Sequence, residues 1–115
     1  EAIPLFDRAI ELNKDFAYSY CNRGLSKIKL GQIVEGFQDI NRSFELDPNN
    51  SYGFRTLGIY YFDKGDLNDA LQLFIKAKEL DNTTHMIDEL ISTTKDQIDI
   101  KTSGNQGISS NETGL

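Results

Sequence analysis

The sequence predicts an all-α fold in which antiparallel helix pairs stack into a solenoid and one further helix closes the C-terminal end. Three observations carry this. The chain matches itself at a shift of 34 residues: Gly24 falls on Gly58, Gly31 on Gly65, and Glu45-Leu46-Asp47 on Glu79-Leu80-Asp81. A second shift aligns Ala2, Phe6, Ala9, Glu11 and Leu12 with Gly36, Ile40, Ser43, Glu45 and Leu46, and those with Ala70, Phe74, Ala77, Glu79 and Leu80. Apolar residues recur at helical spacing, without the alternation or hairpin dipeptides of strands. Glycine and Asp/Asn clusters punctuate these stretches at regular intervals. A fixed period of this size belongs to stacked repeats, which offer extended surfaces rather than catalytic pockets.

The elements follow in order. Residues 1–14 carry Ile3, Leu5, Phe6, Ala9, Ile10 and Leu12 on one stripe, with Pro4 near the start, where a helix tolerates it. Residues 16–30 form the next helix, with Asp15 as N-cap and Gly31 as stop. Residues 33–46 follow and end at Asp47-Pro48-Asn49-Asn50, a run that halts one helix and offers side-chain caps to the next. Residues 51–64 are helical up to Gly65. Asp66 then caps residues 67–80, with Asp69 in the capping-box position. After Asp81-Asn82-Thr83-Thr84, residues 85–100 make an amphipathic capping helix with Ile87, Leu90, Ile91, Thr94 and Ile98 on one stripe and none of the repeat's glycines. Residues 101–115 are rich in Ser, Gly, Asn and Thr and read as a polar tail, linker or disordered segment. The chain starts without Met and in mid-repeat, so more sequence is expected upstream.

Composition narrows the function. Of 115 residues 38% are hydrophobic, enough for one domain or short array. No apolar run is long enough for a membrane-spanning helix. A net charge of −6 and a pI near 4.6 disfavour nucleic acid, which calls for a basic face. Cys21 is the single cysteine, so no intramolecular disulfide or zinc-type cysteine cluster can form; the lone thiol fits a reducing compartment such as the cytoplasm. His85, the single histidine, opens the capping helix and is expected to be exposed rather than catalytic. No Gly-rich phosphate loop, His-Glu metal set or Ser-His-Asp triad is visible. No enzymatic role, metal or cofactor is expected.

Two helices of about 14 residues, a turn at glycine and a 34-residue period resemble the tetratricopeptide repeat. Residues 51–84 carry Phe54, Leu57, Gly58, Tyr61, Gly65, Ala70, Phe74 and Ala77 at the family's positions, with Asn82 where Pro is usual. Residues 17–50 carry Tyr20, Gly24, Gly31, Gly36, Ile40, Ser43 and Pro48, and depart at Arg23 and Lys27, where Leu and Tyr are usual. Residues 1–14 resemble the second helix of an earlier, partial repeat. The resemblance implies a right-handed superhelix in which Gly24 and Gly58 admit close helix contact and Tyr20, Phe54, Tyr61, Ile40 and Phe74 fill the space between helix pairs.

The resemblance also implies a concave groove walled by the first helix of each repeat. By the family's register the facing residues are Tyr18, Cys21, Asn22, Leu25 and Lys29, then Tyr52, Arg55, Thr56, Ile59 and Asp63, with Tyr60 and Phe62 nearby. Some members hold the acidic C-terminal peptide of heat-shock chaperones through a carboxylate clamp of Lys and Asn, then Asn, then Lys and Arg. Asn22 stands at the middle position, but Tyr52 and Thr56 replace the last Lys and Arg, and Arg55 is one residue off. The expected function is therefore a non-enzymatic module that binds a protein or peptide segment, of a kind other than the chaperone tail. The alternative is self-association, through the exposed N-terminal repeat edge or by exchange of the tail.

Overall fold

A computed structural model describes residues 17–112, with side chains as far as Thr102. Five helices account for the described secondary structure: α1 (Ala17–Lys29), α2 (Ile33–Leu46), α3 (Ser51–Lys64), α4 (Leu67–Leu80) and α5 (Ile87–Glu112). α1 pairs with α2 and α3 with α4; α1 also lies along α3, and α5 packs on α4. The expected helix over 1–14, Pro4 and the Asp15 cap lie outside the described residues.

Each pair turns at its glycine. Gly31 and Gly65 both sit at φ 87°, the left-handed region that glycine enters without a Cβ penalty. The turns are closed by the same pair of bonds, Gly31 N–H to Ile28 O with Gln32 N–H to Lys27 O, and Gly65 N–H to Phe62 O with Asp66 N–H to Tyr61 O. This is the Schellman arrangement, which satisfies two otherwise orphaned carbonyls. A Cβ at Gly65 would meet nothing within 4 Å, so the cost of replacing it is purely conformational. Gly65→Ala is expected to lose about 1–2 kcal/mol in urea denaturation, with native helix content retained.

The joints between pairs also repeat. Asp47 and Asp81 end α2 and α4 in extended conformation, and each turns its carboxylate onto the backbone N–H two residues on, Asn49 at 3.1 Å and Thr83 at 2.9 Å. Asn50 then caps α3, its side chain accepting from Tyr52 N–H at 3.1 Å. The expected capping box at Asp66 does not form: its side chain makes no cap bond. The reason is local. The Asp66 N–H that Asp69 would have to reach is already held by the Tyr61 carbonyl.

Packing between helices rests on absent side chains. A Cβ on Gly24 would lie 2.7 Å from the Gly36 carbonyl oxygen, and one on Gly36 2.5 Å from Ile28 Cγ1. A Cβ on Gly58 would meet the Phe74 ring at 2.5 Å. Phe74, Ala70, Ala77 and Ile87 are fully or almost fully buried, with Phe54, Ile59, Tyr61, Phe62, Leu90 and Ile91 around them. Phe44 and Phe54 join the two pairs, ring centroids 5.0 Å apart.

Arg23 and Lys27, the two departures from the repeat pattern, are explained by a third residue. Asp39 of α2 is buried and accepts from Arg23 Nε at 2.7 Å and Nη2 at 2.5 Å, and lies 3.1 Å from Lys27 Nζ. In the second repeat the same three positions hold Leu57, Tyr61 and Leu73. Apolar and aromatic residue types at three positions of one repeat are thus replaced by an ionic cluster in the other.

α5 departs from expectation at both ends. It begins at Ile87 rather than residue 85, after Met86 at φ 58°. It also continues through the expected tail to Glu112 instead of ending near residue 100. The position that would stop it is Asp99, one period after Gly65, and it has no glycine to enter the left-handed turn. Gly104 and Gly107 each cost a helix only about 1 kcal/mol, and no proline follows to break it.

Candidate peptide-binding groove

The first helix of each pair presents equivalent residues side by side. Tyr18 and Tyr52, one period apart, meet edge to face with ring centroids 4.6 Å apart. Lys29 and Asp63, also one period apart, form an exposed ion pair at 3.3 Å. The predicted wall residues Tyr18, Asn22, Leu25, Lys29, Tyr52, Arg55, Ile59 and Phe62 are all at least partly accessible. Arg55 is oriented by two contacts: its Nε donates to the His85 carbonyl at 2.8 Å, and its guanidinium lies 6.0 Å from the Tyr52 ring centroid. The Tyr52 hydroxyl accepts from His85 N–H at 3.3 Å. The exposed His85 thus anchors the wall through its backbone.

Two predicted positions, Thr56 and Cys21, and Tyr60, expected beside them, are turned away from the accessible wall. Thr56 is 1% exposed, too short to emerge between Tyr52, Arg55 and Ile59 on the neighbouring turns. Tyr60 turns toward the other side of α3, its ring 4.8 Å from that of Phe37 on α2. Cys21 is fully buried, and Asn50 Nδ2 donates to its sulfur at 2.9 Å.

Burial raises the Cys21 thiol above its ordinary 9.0, against smaller lowering effects of hydrogen bonds with Ser43 and Asn50. The sign follows from linkage: the native state holds this proton more tightly than the unfolded chain. Its contribution to stability is complete below pH 9 and is lost as pH rises through the native value. An aromatic disulfide reagent at neutral pH is expected to label Cys21 only as fast as the fold opens, whereas it labels the urea-unfolded chain at once. Fast native labelling would contradict the burial.

A cleft of about 280 Å³ lies between α3 and α5, lined by Ile59, Phe62 and Asp63 of α3, Phe74 of α4, and Met86, Glu89, Leu90 and Thr93 at and within the start of α5. It exists because α5 leans on α4 rather than lying along α3 as α1 does. Met86 is 49% exposed at its rim. Sequence reasoning missed the α5 side of this cleft, although the signal was present. Shifting Tyr52, Arg55, Thr56 and Ile59 by one further period gives Met86, Glu89, Leu90 and Thr93. Treating residues 85–100 as a cap left that shift unread.

The chemistry available is that of contact. Among the described residues no group of three or more His, Cys, Asp or Glu is placed to hold a metal ion. No described helix is long and apolar enough to cross a membrane. The cleft can receive an apolar side chain, and the Tyr18–Tyr52–Arg55 wall beside it can offer aromatic faces and directed donors.

Residues 17–50 match the family model of the tetratricopeptide repeat. The TPR domain of Arabidopsis OM64 superposes with a TM-score of 0.63 over 83% of this chain and 78% of that one, at 20% identity. Small glutamine-rich tetratricopeptide repeat-containing protein 2 of Mycosarcoma maydis is 25% identical over 104 residues, 90% of this chain. The chain belongs to the tetratricopeptide-repeat family. Hsp70-Hsp90 organizing protein 1 of Glycine max is 32% identical over 89 residues, 76% of this chain. The chain spans 30% of the length of the first of these relatives and 16% of the second. The all-α array of the repeat is therefore the fold.

Proposed function

We propose that this tetratricopeptide array is a non-enzymatic protein-interaction module that binds a peptide segment of a partner along the face shared by α1, α3 and α5. The reading is carried by one observation. The apolar cleft is lined by residues in the same register on α3 and α5 that the family's groove uses, and Phe74 floors it. A side chain seated there would leave water for contact with Ile59, Phe62, Met86 and Leu90. Full burial of a Leu- or Phe-sized residue is worth about 1.5–3 kcal/mol. Tyr52 and Arg55 beside it are residue types that often dominate binding energy.

The relative named for organizing Hsp70 and Hsp90 suggests adaptor work in a larger assembly. The acidic chaperone tail is not the ligand proposed here. Tyr52 and the buried Thr56 stand where the clamp's last Lys and Arg would be needed.

Random-peptide selection tests the reading, run on the wild type, on a Tyr52→Ala, Arg55→Ala double variant and on Met86→Glu, all matched for helicity by circular dichroism. Enriched peptides are expected to carry an aliphatic or aromatic residue and to bind both variants at least about tenfold more weakly, the loss of roughly 1.4 kcal/mol. Equal binding to all three proteins would place the site elsewhere.

A further inference from the structure

Both charged residues that line the apolar cleft are acidic: Asp63 on α3 and Glu89 on α5. Glu89 is exposed and makes no hydrogen bond or ion pair among the described residues. Asp63 is paired with Lys29, but at 3.3 Å with both side chains more than half exposed. Such a pair is weak and exchanges its partner readily. The other cation among the predicted wall residues, Arg55, is committed to the His85 carbonyl and to the Tyr52 ring, and forms no ion pair with Glu89. The chain as a whole carries a net charge of −6.

We infer that the groove selects a basic amphipathic segment of another protein: an apolar anchor that enters the cleft, with a Lys or Arg beside it that reaches Glu89 and Asp63. This rests on the groove reading above and adds the sign of the ligand. It is the electrostatic opposite of a carboxylate clamp. An acidic segment is repelled at the cleft mouth, most strongly at low salt. A basic one gains in encounter rate as well as affinity. A neutral anchor fills the cleft without using either carboxylate.

The test is the charge flanking the anchor in peptides selected from a random library by the wild type, Glu89→Gln and Glu89→Lys, at low and at high salt. For the wild type at low salt, Lys and Arg within one helical turn of the anchor are expected to exceed Asp and Glu. A synthetic winning peptide is expected to bind about tenfold tighter than its twin with the Lys and Arg replaced by Glu, the sum of two exposed charge contacts. Glu89→Gln should reduce that ratio, Glu89→Lys should abolish or invert it, and high salt should shrink it. Anchored peptides without charge bias, still sensitive to Met86→Glu, would overturn this inference and leave the groove reading standing. No enrichment, including the case of a cleft filled by a second copy and a dimer in sedimentation, would overturn both.

Discussion

Phe74→Ala is expected to destabilise the array by about 3–5 kcal/mol, read as a lower urea midpoint at unchanged slope. Phe74 is fully buried, floors the cleft, and lies against the helix face opened by Gly58. Removing its ring deletes the contact that joins α3, α4 and the start of α5, and the backbone at Gly58 is too constrained by its own helix to collapse into the space. The complementary change is Gly58→Ala. Its Cβ would come within 2.5 Å of the ring, an overpacking of about 1–3 kcal/mol against a gain of about 1 kcal/mol in helix propensity. Combined with Phe74→Ala, the clash disappears, so the double variant should be more stable than the sum of the singles predicts. A loss below 1 kcal/mol for Phe74→Ala would remove it from the centre of the core.

Asp39→Ala is the second large effect, expected at about 3 kcal/mol. It removes the buried carboxylate that Arg23 and Lys27 share, their side chains being only 20% and 18% exposed. The same reasoning gives an opposite expectation for the triple change Arg23→Leu, Lys27→Tyr, Asp39→Leu, which copies the second repeat into the first. Replacing a buried ionic cluster by packed apolar groups is typically neutral or stabilising by about 1–4 kcal/mol. If the triple variant is as damaged as Asp39→Ala, the two repeats do not share a common packing frame. Urea denaturation of both, monitored by circular dichroism, distinguishes these outcomes.

These two cases mark where the sequence was legible. Gly31 and Gly65 could be read as helix stops because the left-handed turn is a local demand on one residue. Gly24 and Gly58 could be read as contact points because they recur at one period. The compensation of Arg23 and Lys27 by Asp39 could not be read as easily. It joins residues on different helices, and a polar residue on a helix face looks the same whether it meets water or a partner. Thr56 failed for a similar reason: register fixes the direction in which a side chain starts, and its neighbours fix whether it reaches the surface. The reach of α5 to Glu112 was hidden by composition, since Ser, Gly, Asn and Thr resemble a linker. What governs the helix end is the missing turn glycine at Asp99.

The cleft between α3 and α5 was half legible. Ile59 and Phe62, which line the cleft from α3, were among the residues the repeat register singled out. The α5 side needed the register to be carried past the last pair of turn glycines, to Met86, Glu89 and Leu90.

Met86 also supplies the most direct test, because it is the single methionine in the chain and stands at the rim of the cleft. Protein labelled with ¹³C at the methionine methyl gives one resonance for the described cleft. On titration with a selected peptide that resonance is predicted to shift and saturate at the same dissociation constant that fluorescence anisotropy reports. A peptide that binds by anisotropy while the Met86 methyl stays unmoved would contradict the account and put the binding surface outside the α3–α5 cleft.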